Sequence, residues 1–131
     1  MFAQGFVKVI INDDPAIIVN WPQNQKKNAL YALEEIYLKE KTGVGFTYGI
    51  QVYKVGCLII MINDIFETCN KNSGPFYYWE LFYNGKPSTK GIDLLMLSEG
   101  DTIKFSLEEY NAEKHQMTTV GIKHASRMSA N

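Results

Sequence analysis

The chain has 131 residues, of which 46% are hydrophobic, 13% aromatic and 21% charged, with a formal net charge of −1. That length suits one domain around one core, and the composition is that of an ordinary globular protein. The near-neutral balance excludes the basic footprint of a nucleic-acid or anionic-membrane binder, and the longest apolar run, Leu58 to Ile62, is too short to span a bilayer.

MFAQGFVKVII at the N-terminus has no basic stretch followed by a long apolar core, so no signal peptide is expected in this sequence. Residues 6–11 (FVKVII) are β-branched and read as a strand, NDDP (12–15) as a turn, and AIIVN (16–20) as a returning strand. Asn24 is placed to cap a helix over 25–40, whose Ala29, Leu30, Leu33, Ile36 and Tyr37 recur at three- and four-residue spacing and form one buried face. Gly43 and Gly45 are the expected stop.

The pattern then becomes β. FTYGIQVY (46–53) and CLIIMI (57–62) read as strands separated at Gly56, with IFETC (65–69) folding back after Asn63-Asp64 and NKNSGP (70–75) as a loop. FYYWELFY (76–83) is the strongest strand, and Asn84-Gly85 is a hairpin signal. LLML (94–97) and TIKFSLEEY (102–110) complete the set, joined by a turn at Gly100-Asp101. Hairpin, one helix, then several strands predicts an α+β fold: a β-grasp-like mixed sheet with one main helix packed on one face, spanning 1–110. Residues 111–131 read as a polar C-terminal tail.

Catalytic signals are sparse. His115 and His124 both lie in the tail, where a metal site would lack further ligands and a rigid frame. The carboxylates come as neighbours, Asp13-Asp14, Glu34-Glu35 and Glu108-Glu109, whose side chains diverge on a strand or a helix and make poor acid–base pairs. With no phosphate-cradling glycine loop and no nucleophile elbow, the expectation is a protein that is not an enzyme, needs no cofactor and holds no metal. A hairpin turning about Asn63 would set Cys57 and Cys69 at equal distances from its tip, which suits a disulfide; two unpaired thiols are the alternative.

Alternation along 76–83 puts Phe76, Tyr78, Glu80 and Phe82 on one face and Tyr77, Trp79, Leu81 and Tyr83 on the other. A single helix covers one face of a small sheet, so the Trp79 row is expected to be core. The Glu80 row is then an exposed aromatic patch suited to a protein partner or to self-association.

Three stretches together carry a resemblance: GCLIIMINDIFE (56–67), YWELFYNGKPSTKG (78–91) and the Gly-Asp-x-Ile turn at 100–103, preceded by the helix ALYALEEIYLKE (29–40). This pattern resembles the C-terminal β-domain of transcobalamin and intrinsic factor, and transcobalamin-like modules of bacterial surface and secreted proteins, over about residues 6–110. The resemblance implies a non-enzymatic small-ligand-binding module, secreted or extracellular, with cobalamin or a related tetrapyrrole as first candidate ligand. It implies that the ligand-facing edges are Val55, Gly56 and Cys57, and the loop carrying Pro87, Ser88 and Gly91, with Tyr78 as a stacking ring. In the carriers a larger helical domain closes the other side of the ligand, so a separate helical partner is implied as well.

Overall fold

The computed structural model describes residues 5–39, 45–54, 56–68 and 75–110. The expected tail, 111–131, lies outside them, as do Gly43, Val55 and Cys69.

Among the described residues, ten strands and one helix make a mixed α+β fold. Strands β1 (Gly5–Ile11) and β2 (Ile17–Trp21) form the N-terminal hairpin, β7 (Tyr77–Tyr83) and β8 (Lys86–Pro87) a second one, and β10 (Thr102–Glu109) runs between them. The sheet order is β2-β1-β10-β7-β8, with β1 and β10 parallel at its centre and the other pairs antiparallel. A second sheet contains β4 (Tyr48–Tyr53), β5 (Gly56–Ile62) and β6 (Ile65–Phe66), and β3 (Lys27–Asn28) pairs with β9 (Met96–Leu97).

Helix α1 (Ala29–Lys39) begins four residues later than the spacing predicts. Asn24 is not its cap: at φ 59° it sits in a left-handed turn, and Lys27 and Asn28 are held extended by their ladder with β9. Asn28 takes the capping role, its Oδ1 accepting from Tyr31 N–H at 2.9 Å, which satisfies one of the donors a helix start leaves open. The buried stripe is Ala29, Ala32, Leu33 and Ile36; Tyr37, expected inside, is exposed.

That stripe packs with Val7, Val9, Trp21, Leu81, Ile103 and Phe105 from the inner face of the five-stranded sheet, and with Ile59 and Ile62 from β5, in one continuous core. Burial of this apolar surface is the main stabilising contribution. Trp79 belongs to the same core, and its Nε1–H donates to Ile65 O at 2.9 Å, tying the central sheet to the β5–β6 hairpin. Both two-residue turns take the left-handed backbone that such hairpins require, at Asn63-Asp64 (φ 49° and 68°) and Asn84-Gly85 (φ 49° and 86°).

The assignment of the Trp79 row to the core agrees with the sequence, but the outer face of β7 differs from expectation. Tyr78 is 0% exposed and Glu80 1%, so their row is not an open patch. The chain continues past β10 so that Tyr110 N–H donates to Phe76 O at 2.8 Å, and the Tyr110 ring stands edge-on to Tyr78 at 6.3 Å. A strand covered on both sides cannot be assigned a solvent face from alternation alone.

If Asn28 is the cap, Asn28→Ala lowers the unfolding free energy by about 1–2 kcal/mol in urea titration. Asn24→Gly, which keeps the left-handed turn, stays close to neutral; the reverse ranking would return the cap to Asn24.

Candidate functional site

The two edges singled out by the resemblance meet in space. Ile92 N–H donates to Cys57 O at 2.9 Å, and Asp93 Oδ1 accepts from Cys57 N–H at 2.7 Å, so the segment after Gly91 is stitched along the start of β5. Gly56 and Gly91 make this approach possible. A Cβ on Gly91 would lie 2.5 Å from Cys57 O, and one on Gly56 would lie 2.7 Å from Asp93 Oδ1 and 3.3 Å from Leu94 Cδ1. Gly56 also has φ 125°, a backbone region that side chains disfavour.

The junction extends to the helix. Residues 92–94 form a turn in which Leu94 and Leu95 N–H both donate to Gly91 O, at 3.1 and 3.0 Å. Ala29 N–H donates to Leu95 O and Leu30 N–H to Ile92 O, at 2.9 and 3.0 Å, so the first amides of α1 are satisfied by the turn. Asn28 Nδ2–H donates to Asp93 O at 3.2 Å. One turn therefore binds the helix start on one side and β5 on the other. The sequence reading did not single out Asp93 or Asn28; an Asn directly before the first helical alanine was the available signal for the latter.

Side chains at this junction divide into structural and accessible ones. Ser88 is buried, its N–H donating to Leu81 O at 2.8 Å and its Oγ–H to Lys90 O at 2.9 Å, which shapes the loop leaving β8. Gly91 is buried as well. Tyr78 cannot serve as a stacking ring in this arrangement, because its face is covered, a correction to the expectation. Pro87 is exposed, and Gly56 and Cys57 are half-buried. Val55 lies outside the described residues, as does Cys69; Cys57 is a free thiol, the alternative to the expected disulfide. The open apolar surface comes instead from neighbours: Val52, which pairs with Cys57 across β4–β5, is 72% exposed, and Leu94 and Met96 are 51% and 48% exposed.

Electrostatics at the junction favour a neutral thiol. Burial pushes the Cys57 thiol above its ordinary value of 9.0, and the Asp93 carboxylate beside it, which also accepts its hydrogen bond, adds to the effect. A thiol held protonated is a poor nucleophile and a poor metal ligand. No group of three or more His, Cys, Asp or Glu side chains that could hold a metal occurs among the described residues, and no helix there is long and apolar enough to cross a membrane. Elsewhere, burial and then the hydrogen bond to Glu34 hold the Tyr48 hydroxyl well above its ordinary range, joining α1 to β4. Tyr83, donating to Asp101 Oδ2 at 3.1 Å, is raised by burial first and by that carboxylate second.

This fold, among the described residues a helix and a small sheet packed with a mixed five-stranded sheet, is shared with solved structures. It matches a crystal structure of haptocorrin in complex with Cbi, at TM-score 0.62 and 19% identity, covering 83% of this chain and 26% of that one. It also matches a structure described as a putative metal binding protein from Ruminococcus gnavus ATCC 29149, at TM-score 0.51 and 18% identity, covering 82% of this chain and 98% of that one. The chain thus spans about a quarter of the haptocorrin chain, and at these identities the likeness is one of fold. A search of curated proteins finds no match. Residues 26–109 match the family model described as "Domain of unknown function (DUF4430)", and the chain belongs to that family.

Two outcomes test the junction. Gly91→Ala forces the Cys57 backbone to shift and destabilises by about 2 kcal/mol, whereas Gly85→Ala, with open space around it but φ 86°, costs only about 1 kcal/mol of turn strain. The pH dependence follows from groups whose folded state holds the proton more tightly than the unfolded chain. Their contribution is complete below the ordinary values, 9.0 for Cys57 and 10.0 for Tyr31 and Tyr83, and is lost as pH rises through the raised ones. The urea midpoint therefore falls above about pH 9, and Asp93→Asn in a Cys69→Ser background brings the Cys57 thiolate absorbance to lower pH.

Proposed function

We propose that this protein is a non-enzymatic small-ligand-binding module, extracellular in setting and needing no cofactor, with cobalamin or a related tetrapyrrole as the first candidate ligand. The observation that carries this reading is the convergence of the Gly56-Cys57 edge and the segment after Gly91, with Val52 across the ladder from Cys57 and Leu94 beside Gly56 both exposed. Such a rigid apolar shelf suits a flat ligand with a large apolar perimeter, and nothing in its hydrogen bonding must break to receive one. Two likenesses support the ligand class: the sequence resemblance to the β-domain of cobalamin carriers, and the fold likeness to haptocorrin, whose structure is in complex with Cbi. On this reading the helix over a sheet with parallel central strands is a β-grasp-like scaffold, and the shelf is half of a site.

Affinity should then be modest, because one apolar wall buries less of the ligand than an enclosed site does. A helical domain supplied by another chain would complete the enclosure. Titrating aquocobalamin or cyanocobalamin into the protein is expected to give a saturable shift in the corrin absorbance, with Kd of about 10–500 µM. Leu94→Asp and Val52→Asp, both at exposed positions, are expected to weaken it at least about tenfold, while Phe66→Asp leaves it unchanged. Corrin spectra that stay unaltered at high micromolar protein would remove the tetrapyrrole reading.

A further inference from the structure

Strand β2 is an edge strand whose outer side no described strand pairs with. Lys8 N–H donates to Asp101 O and Phe6 O accepts from Gly100 N–H, so the backbone groups of Phe6 and Lys8 face β10 and not β2. Their β2 partners are Asn20 and Ile18. Those are therefore the non-hydrogen-bonded pairs of the β1–β2 ladder, and the N–H and C=O groups of Ile18 and Asn20 point to the open edge.

Natural sheets blunt such edges with prolines, charges, bulges or very short strands. The other long edges here follow that rule. Strand β8 is two residues long and includes Pro87, β6 is two residues long, and the β4–β5 ladder carries a register shift at Gly49/Ile50. Strand β2, IIVNW, has an unbroken register and contains no charge, proline or glycine. A groove of about 550 Å³ runs along it, walled by α1 through Glu35, Leu38 and Lys39. Ile18 and Leu38 remain 43% and 58% exposed beside it.

We propose that β2 pairs with β2 of a second copy of this chain, antiparallel about a two-fold axis at Val19. Three features single out a second copy over an unrelated extended peptide. The two-fold register sets Ile18 opposite the partner's Asn20, and in that register both residues exchange N–H and C=O groups, so every outward group is satisfied at once. The same register keeps inward residues opposite inward ones, so Val19 meets the partner's Val19 on the core side and no buried face is turned to water. The helix wall of the groove carries Glu35 and, one helical turn on, Lys39, so the axis sets charges of both signs on each copy against those of the other. Pro15 and Pro22 bracket the strand and end the ladder, and the opposite sheet edge is blunted, so assembly stops at two subunits.

Sedimentation equilibrium over about 1 µM to about 1 mM reads this directly, since interfaces of modest area associate in that range. The weight-average mass is expected to rise from 14.9 kDa toward twice that value. Asn20→Pro removes an outward N–H while leaving the β1 ladder intact, and is expected to shift the midpoint to at least about tenfold higher concentration. Ile18→Lys, which places like charges near the axis, provides a second variant. In the unmodified protein, hydrogen exchange at the Ile18 and Asn20 amides is expected to slow with concentration in step with the mass. A mass that stays monomeric throughout overturns the proposal, as does a dimer that survives both variants with those amides still exchanging freely.

Discussion

Asp93 holds together parts of the chain that sequence distance keeps apart. Its carboxylate accepts from the amide of Cys57, its own carbonyl accepts from Asn28, and the turn it sits in supplies carbonyls to the first amides of α1. A helix start leaves several N–H groups without partners, and β5 begins with an amide that no neighbouring strand turns toward on that side. Both deficits are met by one turn. Because buried backbone groups are costly when left unsatisfied, the helix, the three-stranded sheet and the segment entering β9 can pack only in this relation. The glycines at 56 and 91 follow from that demand, since a Cβ at either position would intrude on the contact.

What the sequence made legible was whatever local chemistry decides. The turns at Asn63-Asp64 and Asn84-Gly85 were readable because few residue pairs tolerate their left-handed backbone. Strands β1, β2, β5, β7 and β10 were readable from β-branched and aromatic runs, and Trp79 as core from alternation. The helix start was misread because Asn24 and Asn28 are equally good caps in isolation; pairing of β3 with β9, a contact between residues nearly 70 positions apart, decided between them. The outer face of β7 failed for a related reason. Counting one helix as the only cover ignores the chain running past β10, where Tyr110 comes to rest against Tyr78.

The candidate site shows the same division. Of the residues drawn from the resemblance, Gly56, Cys57 and Gly91 lie at one junction, while Ser88 shapes the loop leaving β8. Yet most of them are consumed by the junction itself: Gly91 by close backbone approach, Ser88 by shaping its loop, Cys57 by its bonds to Ile92 and Asp93. The groups left facing solvent are the apolar neighbours Val52, Leu94 and Met96. A backbone frame carrying exposed apolar side chains is the feature on which the proposed ligand reading rests. Burial first and Asp93 second raise the Cys57 thiol above its ordinary value.

The two surfaces that follow from these readings lie on different sheets. The shelf residues belong to β4, β5 and the segment entering β9, whereas the open ladder belongs to β2, an edge of the five-stranded sheet. Pairing through β2 therefore consumes no atom of the shelf, and it extends the sheet without disturbing the core beneath it. A dimer of this kind presents two shelves on a single rigid span. Where each shelf alone holds its target weakly, two on one frame raise the effective local concentration for any target that offers two sites, with no new contact needed. The open edge of β2 and the residues of the shelf are separate in structure, so each can be altered by substitution without touching the other.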